Sequence, residues 1–466
     1  MNGDSLPPRF WTRDRVADAL APLAPANLPR GAASFARVWT DTRTIERGDL
    51  FVALAGDRFD AHDFLDDAVG RGAAGLVVSR PGAGAGLGAP VFQVSDTLRA
   101  LGALAQYRRR AWNQPVVGVV GTNGKTSTKE LIRAALGSVL DVHATSGNLN
   151  NLVGVPLTLL SIPDDADVAV VEMGTNHPGE VACLRAIVEP TIVVVTSIGE
   201  EHLEGLGDVA GVLREELAAI DGVSVAIVPA NQPEVVVAAS APASRARRIV
   251  SAGLDAGDLH PSRWEILPDG RGRLEIDGTT VDVPLRGAHN LRNAMLTVAV
   301  ARELGVSLAD AARGIATMPA PRMRVSWEEL GSATLINDAY NANPPSTRAA
   351  LELLALAAPG RQRVAVLATM LELGPYTSQL HDAIARDALA GGVDLIGAVG
   401  EYADAFARVA PSDQRVVSAS DVDVLWSSLA SRVAPDAVIL LKGSRGMRLE
   451  RLVEPITAWA RANTST

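Results

Sequence analysis

The chain has one cysteine, Cys183, among 466 residues. That scarcity excludes an intrachain disulfide and a cysteine-built metal cluster. Cys183 lies between Ala182 and Leu184 in a helical stretch, where buried packing is the expectation. Positive charge is also short, with 43 Lys and Arg against 53 Asp and Glu, a net charge of −10. No basic stripe offsets that balance, which argues against nucleic acid as a partner. No apolar run reaches the length of a membrane span. The segment Met1–Arg15 is polar and lacks the apolar core of a signal peptide, so a cytoplasmic protein is expected. Aromatic residues make up only 4%, while Gly and Ala abound, as in α/β proteins whose helices pack closely on sheets. At roughly 150 residues per domain, the length suggests about three domains.

What is present is concentrated at Gly118-Val-Val-Gly-Thr-Asn-Gly-Lys-Thr126, between the apolar run Pro115–Val120 and a helical stretch Thr126–Leu140. Strand, glycine loop and helix in that order are what a phosphate-binding loop requires. Glycines let the backbone approach oxygens, and the helix start offers N–H donors and the positive end of a dipole. Gly121, Thr122, Asn123, Gly124, Lys125, Thr126 and Ser127 are therefore the candidate nucleotide-binding residues. Lys125 would reach the β- and γ-phosphates and Thr126 would hold Mg²⁺. The strict pattern fails at position 119, which is Val where a Walker A loop has Gly. The expected ligand is a nucleoside triphosphate with Mg²⁺.

Three blocks follow from the apolar pattern. The first has short strands at Leu50–Leu54, Gly75–Ser79 and Val91–Ser95, helical stretches at Ala61–Gly70 and Thr97–Ala111, and a loop at Pro81–Pro90. The second has continuous apolar runs at Val116–Val120, Val168–Val171, Thr191–Thr196 and Ser224–Val228, which suit a parallel sheet covered on both faces. Asp277-Gly278 between Arg273–Ile276 and Thr280–Val283 signals a hairpin, and a helical stretch Asn290–Leu304 closes the block. The third alternates strands at Thr334–Asn337, Arg363–Leu367, Leu395–Val399 and Ala437–Leu441 with helical stretches Ser346–Leu356, Gln379–Ala390, Tyr402–Val409 and Val422–Val433. That is a doubly wound fold, with ligands expected at the carboxyl ends of strands. The expected division is 1–112, 113–320 and 321–466.

Candidate site residues gather at strand ends. Glu172 ends a buried strand and would complete a Mg²⁺ shell with Thr126, against the commoner role of a helix cap or ion-pair partner. His202, in the loop after the next strand, would serve a second cation site or touch the transferring phosphoryl group. Asn148, Asn150 and Asn151 form an amide cluster that suits either a substrate or a plain turn. Asp338-Ala-Tyr-Asn-Ala-Asn-Pro344 and Lys442-Gly-Ser-Arg-Gly-Met447 lie at two strand ends, where Lys442 and Arg445 could each pair with a carboxylate or phosphate.

The order of these motifs resembles the Mur ligases, ATP-dependent enzymes of peptidoglycan synthesis that add amino acids or peptides. The resemblance runs over roughly residues 38–455. Asp41-Thr-Arg43, Gly48-Asp-Leu-Phe-Val-Ala-Leu-Ala-Gly56 and Asp60-Ala-His-Asp-Phe64 are similar to the family's uridine-nucleotide segment. Gly121-Thr-Asn-Gly-Lys-Thr126 is similar to its ATP loop, and Val171-Glu-Met-Gly174 and Ile198-Gly-Glu-Glu-His-Leu-Glu-Gly205 to its metal-site motifs. Gly287-Ala-His-Asn-Leu-Arg-Asn-Ala294 resembles its adenine-contacting helix start. The Asp338–Pro344 and Lys442–Glu450 motifs point to the branch that adds D-alanyl-D-alanine to a UDP-MurNAc-tripeptide.

The resemblance implies an α/β, three-domain architecture with a central P-loop parallel-sheet domain and a C-terminal Rossmann-like domain. It implies a cytoplasmic ligase, expected as a monomer, working through an acyl phosphate with ATP and Mg²⁺. Lys125, His202 and Glu216 would be catalytic, and Thr126, Glu172 and His202 metal-binding. Asn290 and Asn293 would lie near adenine, Asp338 at the ribose, and Arg322 and Asn341 near the nucleotide. Asp41, Thr42, Arg43, Asp60, His62, Asn150 and Asn151 would serve the UDP-linked substrate, and Lys442, Ser444 and Arg445 the incoming dipeptide. Two positions depart from the family. Its carbamylated lysine falls on Glu216 in Leu213-Arg-Glu-Glu-Leu-Ala218, and its Gly-Asp pair becomes Ala368-Thr369. Glu216 would supply the missing carboxylate, against the blander reading of Arg214-Glu-Glu216 as a solvated helix face. The rival functions are another Mur-type or folylpolyglutamate-synthase-like ligase, and a catalytically weakened nucleotide-binding regulator.

Overall fold

The structure, a computed structural model, describes residues 10–56, 59–242, 245–319 and 323–463. The chain divides into two compact units, one of 1–118, 143–174 and 182–191, the other of 119–142, 175–181 and 192–466.

In the first unit, Val38–Trp39, Leu50–Val52, Gly75–Val78 and Val91–Gln93 form a four-stranded parallel sheet in that order. The helix Thr97–Trp112 starts on the Asp96 cap, whose carboxylate accepts from Arg99 N, and ends at Asn113 in left-handed conformation. Its apolar face, Ala100, Leu101 and Leu104, packs in the core with Leu50, Val52, Val77 and Phe92. The sequence pattern missed the helix Arg13–Leu20 and the antiparallel pair Trp11–Thr12 with Ser34–Phe35. Two-residue strands carry no periodicity to detect.

In the second unit, Ile192–Val195, Val225–Pro229 and Ile249–Ala252 run parallel. Arg263–Ile266, Arg271–Ile276 and Thr279–Arg286 make an antiparallel three-stranded sheet. Its hairpin turns through Asp277 and Gly278, both at positive φ, as the Asp-Gly signal predicts. The last sheet has six strands in the order Ser326–Leu330, Ala333–Asp338, Val438–Lys442, Arg363–Ala368, Leu395–Val399, Val416–Ala419. Only the first pairs antiparallel. The path from Ala333–Asp338 to Arg363–Ala368 leaves a gap that Val438–Lys442 fills. Asp338 and Leu367 therefore stand in register on either side of Lys442, at the carboxyl edge where such sheets bind ligands.

Cys183 corrects one expectation, because it is exposed. On the helix Glu180–Val188 the buried positions are Val181, Leu184 and Val188, three and four residues apart. Cys183 falls off that stripe. Among the described residues, no helix is long and apolar enough to cross a membrane.

Candidate active site

The strand Val116–Val120 is buried throughout and delivers the chain to Gly121 at φ +116° and Gly124 at φ +88°. Val119, where the strict pattern wants glycine, lies inside the strand with no exposed surface. A valine there serves the sheet and leaves the loop untouched. The loop is fastened to the segment after Ile192–Val195. Thr122 N donates to Ser197 O at 2.7 Å, Gly199 N to Thr122 Oγ1 at 3.0 Å, and Asn123 N to Ser197 Oγ at 3.1 Å. Gln232 steadies that segment with both ends of its amide, accepting from Ile198 N at 2.8 Å and donating to Ile198 O at 2.6 Å. The helix Lys125–Leu136 then starts on Gly124 with no side-chain cap, as an anion-binding helix start should. A Cβ on Gly121 would stand 2.5 Å from Thr196 Oγ1 and 2.8 Å from Ser197 O, at a φ that L residues avoid. Gly121→Ala should therefore lose at least about 2 kcal/mol of stability. Unfolding in urea with and without ATP checks this, and an unchanged midpoint with unchanged ATP response is the contrary outcome.

Ionisable side chains gather around this loop and the helix Val209–Leu217. Lys125 Nζ donates to Gly121 O and, at 3.1 Å, to Thr122 O, and lies 3.6 Å from Glu201. Glu216 is buried and accepts from Gly121 N at 2.8 Å. Burial pushes its carboxyl from 4.5 up to about 7, against the opposing pull of Lys125 and of the Gly121 N–H. Glu215 is buried too, accepting from Gly179 N at 2.7 Å and Val181 N at 2.8 Å. The helix Val209–Leu217 thus turns both carboxylates inward, and the solvated-face reading of Arg214-Glu-Glu216 does not hold. His202 sits in left-handed conformation at φ 52°. Its Nδ1 is 2.5 Å from Glu372 Oε2 and its Nε2 is 3.8 Å from Glu201 Oε1. Burial lowers the imidazole pKa, yet the carboxylates of Glu372 and Glu201 outweigh it and the net shift is upward.

Of the nucleotide candidates, Asn293 meets the same loop. Asn293, on the helix Ala288–Glu303, would be 2.9 Å from a Cβ on Gly124, and it donates to Asn290 Oδ1 at 3.1 Å. Asn290 in turn donates to Arg286 O at 2.8 Å. Asp338 pairs with Lys442 at 2.6 Å and accepts from Val325 N at 3.1 Å. Lys442 also donates to Asn341 O at 2.9 Å. Buried against Asp338, Lys442 holds two strand ends together and is no exposed anion receptor. Asn341 Nδ2 reaches Glu201 Oε1 at 3.4 Å. Ser444 Oγ accepts from Leu371 N at 2.9 Å and donates to Ala342 O at 3.3 Å, so it ties loops rather than facing solvent. Arg445 is exposed and pairs with Glu450 at 3.1 Å. Arg322 lies outside the described residues.

Sequence reasoning missed Glu201, Glu372, Asn343 and Gln232. Asn343 caps the helix Pro344–Ala357, and its amide exchanges hydrogen bonds with Asn123 at 3.0 and 3.1 Å. Glu201 adjoins His202 in the motif, a signal that was available. The altered Ala368-Thr369 pair also finds its reason. Thr369 Oγ1 accepts from Glu401 N at 3.0 Å and so caps the helix Glu401–Val409, whose own cap position is Gly400. An acceptor is what the position needs, and a hydroxyl supplies it without charge. Thr369→Val should cost about 1 kcal/mol, while Thr369→Asp should be neutral or stabilising. Thermal melting of the two variants tests the ranking, and equal losses in both would contradict it.

The first unit holds the remaining candidates. Asp41 accepts from Arg43 N at 3.0 Å and pairs with the largely exposed Arg43 guanidinium at 2.7 Å, opening the short turn Thr42–Thr44. His62 is engaged at both ring nitrogens, 2.5 Å from Asp60 at Nδ1 and accepting from Ser79 N at 2.9 Å at Nε2. It shapes a loop from within. The backbone N–H of His62, then its ring, hold the Asp60 carboxyl down at about 2. Asn151 caps the helix start through Gly154 N at 2.8 Å, whereas Asn150 donates to Glu172 Oε1 at 2.9 Å. Of the amide cluster, Asn151 is thus a structural cap and Asn150 a carboxylate partner. Glu172 is buried, and its own N–H donates to Thr145 Oγ1 at 2.9 Å. Among the described residues no group of three or more His, Cys, Asp or Glu could hold a metal by itself. Any cation here would need hydroxyl, phosphate or water oxygens as well, which is the chemistry Mg²⁺ favours.

A glycine loop between a buried strand and a helix start, followed by a doubly wound domain, is the architecture of the nucleotide-binding α/β class. The Mur ligase middle domain matches residues 119–301, and the Mur ligase glutamate ligase domain matches residues 321–445. The chain belongs to the Mur ligase family. A relative from Bacillus subtilis (strain 168) is 33% identical over 428 residues, covering 90% of this chain and 92% of its own. It is named UDP-N-acetylmuramoyl-tripeptide–D-alanyl-D-alanine ligase. A crystal structure of MurF from Acinetobacter baumannii superposes with a TM-score of 0.87 at 31% identity, covering 97% of this chain and all of that one. MurF ligase from Thermotoga maritima in complex with ADP gives 0.81 at 26% identity, covering 91% and 98%.

Proposed function

We propose that this chain joins D-alanyl-D-alanine to a UDP-N-acetylmuramoyl-tripeptide at the expense of ATP. The observation that carries the reading is the clamped phosphate loop with Lys125, in a chain alike over nine-tenths of its length to relatives of that name. A carboxylate is a poor electrophile until one oxygen becomes a phosphate leaving group. The γ-phosphoryl of ATP passes to the terminal carboxylate of the tripeptide, giving an acyl phosphate and ADP. The amine of the dipeptide attacks the acyl carbon, the amide forms, and phosphate leaves with its bonding electrons.

In this reading Lys125 neutralises phosphate charge and the loop Gly121–Ser127, at the start of its helix, cradles it. Mg²⁺, when bound, would neutralise phosphate charge further, and the oxygens of Thr126 and Glu172 with His202 are the donors assigned to hold it. Asn290 and Asn293 serve the adenine, Asp338 the ribose, and Asn341 and Arg322 the nucleotide's surroundings. Asp41, Thr42, Arg43, Asp60, Asn150 and Asn151 serve the UDP-linked substrate, with His62 acting through the loop it shapes. Lys442, Ser444 and Arg445 frame the dipeptide site. The three parts divide at 1–112, 113–320 and 321–466, in a monomeric protein of the cytoplasm.

The test is phosphate release from ATP with UDP-MurNAc-tripeptide, comparing D-alanyl-D-alanine with single amino acids. Release with the dipeptide alone is expected. Release with a single amino acid instead would assign an earlier step, and none with any acceptor would leave a nucleotide-binding regulator.

A further inference from the structure

Two residues with left-handed backbones meet at this site. His202 has φ 52° and Glu372 has φ 65°. L side chains adopt that region at a cost of about 1–2 kcal/mol each, so it persists where surroundings impose it. Here the pair is joined by Nδ1 to Oε2 at 2.5 Å, and Glu204, two residues beyond His202, donates its N–H to Glu372 O at 3.1 Å. The loop that carries Glu372 is pinned on three sides. His381 donates from Nδ1 to Thr377 O at 2.7 Å, which leaves Nε2 to accept from Met370 N at 2.9 Å. Leu371 N is held by Ser444 Oγ, and Thr369 is held against the helix start at Glu401. The far side of the imidazole faces the Glu201 carboxylate, which in turn stands 3.6 Å from Lys125.

We propose that Glu372 is a positioning residue for the phosphoryl-transfer step. It fixes His202 as the Nδ1–H tautomer, with the ring turned so that Nε2 points to the Lys125–Glu201 end of the site. A carboxylate behind an imidazole selects the tautomer and orientation of the opposite nitrogen, and losing such a partner typically costs 10–100-fold. The His202 loop belongs to the middle family domain and Glu372 to the C-terminal one. The hold on His202 therefore exists only while the loop of residues 369–374 is seated on it. Without Glu372 the ring would be free to turn about χ2 while the phosphate loop stayed intact.

This inference rests on the ligase reading, and the experiment separates the two. Glu372→Ala, Glu372→Gln and the unchanged chain are compared for kcat and KM with ATP, tripeptide substrate and dipeptide. Glu372→Ala should lower kcat by about 10–100-fold with KM for ATP within about threefold. Glu372→Gln keeps an oxygen to accept from Nδ1 and should restore kcat to within about threefold of the unchanged chain. ¹⁵N spectra of histidine-labelled protein, with His202→Asn to assign the ring, report the tautomer without turnover. At a pH above the raised titration of His202, the unchanged chain and Glu372→Gln should show Nδ1–H, and Glu372→Ala a mixture. An unaltered kcat and tautomer in Glu372→Ala would overturn the proposal, as would a glutamine variant as impaired as the alanine one. No phosphate release from the unchanged chain with any acceptor would sink the ligase reading instead, and the spectra would still decide the role of Glu372.

Discussion

Lys125→Ala should reduce ligation by about 10²–10³-fold while the protein stays folded, because a preorganised charge at the transferring group is lost. The side chain contacts the loop's own carbonyls and Glu201. Removing it strips one donor from Gly121 O and Thr122 O and leaves the Glu201 carboxylate without its nearest cation. Single-turnover phosphate release set beside a thermal melt checks both halves. Near-normal turnover in a folded variant would remove the phosphate-loop assignment, and collapse of the fold would show that the contacts to Gly121 and Thr122 are structural.

Glu216→Gln should cut turnover by at least about tenfold while leaving a folded protein whose pH response is changed. The amide oxygen can still accept from Gly121 N, so what disappears is the charge that the carboxyl carries above about pH 7. With the folded carboxyl at about 7 and its ordinary value 4.5, the folded protein holds a proton that the unfolded chain releases. Stability of the ligand-free protein should therefore fall as pH rises from about 4.5 to about 7, by roughly 3 kcal/mol, and level off above. Glu216→Gln should flatten that fall. Glu215→Gln should behave differently, because Glu215 serves the backbone of Gly179 and Val181. It should lose about 1–3 kcal/mol at neutral pH. Urea midpoints measured between pH 4.5 and 8 distinguish the two, and an unaltered slope in Glu216→Gln would remove the titration from Glu216. If Glu216 supplies the carboxylate, activity should also be indifferent to added bicarbonate.

The strands with unbroken apolar runs were legible in the sequence because burial on both faces leaves no other composition. Leu395–Val399 matches to the residue, and Val168–Glu172 differs by one position. Ser326–Leu330 was not legible, since Ser-Trp-Glu-Glu-Leu at a sheet edge is half exposed and carries neither period. In the site, Lys125 and His202 could be read because each follows a strong strand. Asn343 and Glu372 could not, because their partners Asn123 and His202 stand 220 and 170 residues away in the chain. Contacts of that separation depend on how loops from different sheets are seated, which no local pattern encodes. The inward turn of Glu215 was hidden for a simpler reason. Adjacent charges on a helix look alike in sequence whether they meet water or the backbone of a neighbouring loop.

The amide exchange between Asn123 and Asn343 has a consequence for opening and closing. Two neutral groups that trade one donor and one acceptor each can part without uncovering a charge. Water satisfies both after separation as well as they satisfy one another, so the net cost is about 1–2 kcal/mol. An ion pair in the same place would bind the phosphate loop to the helix Pro344–Ala357 more stubbornly and would answer to salt. The neutral pair instead works like a removable peg, setting the register of two surfaces without deciding how long they remain together.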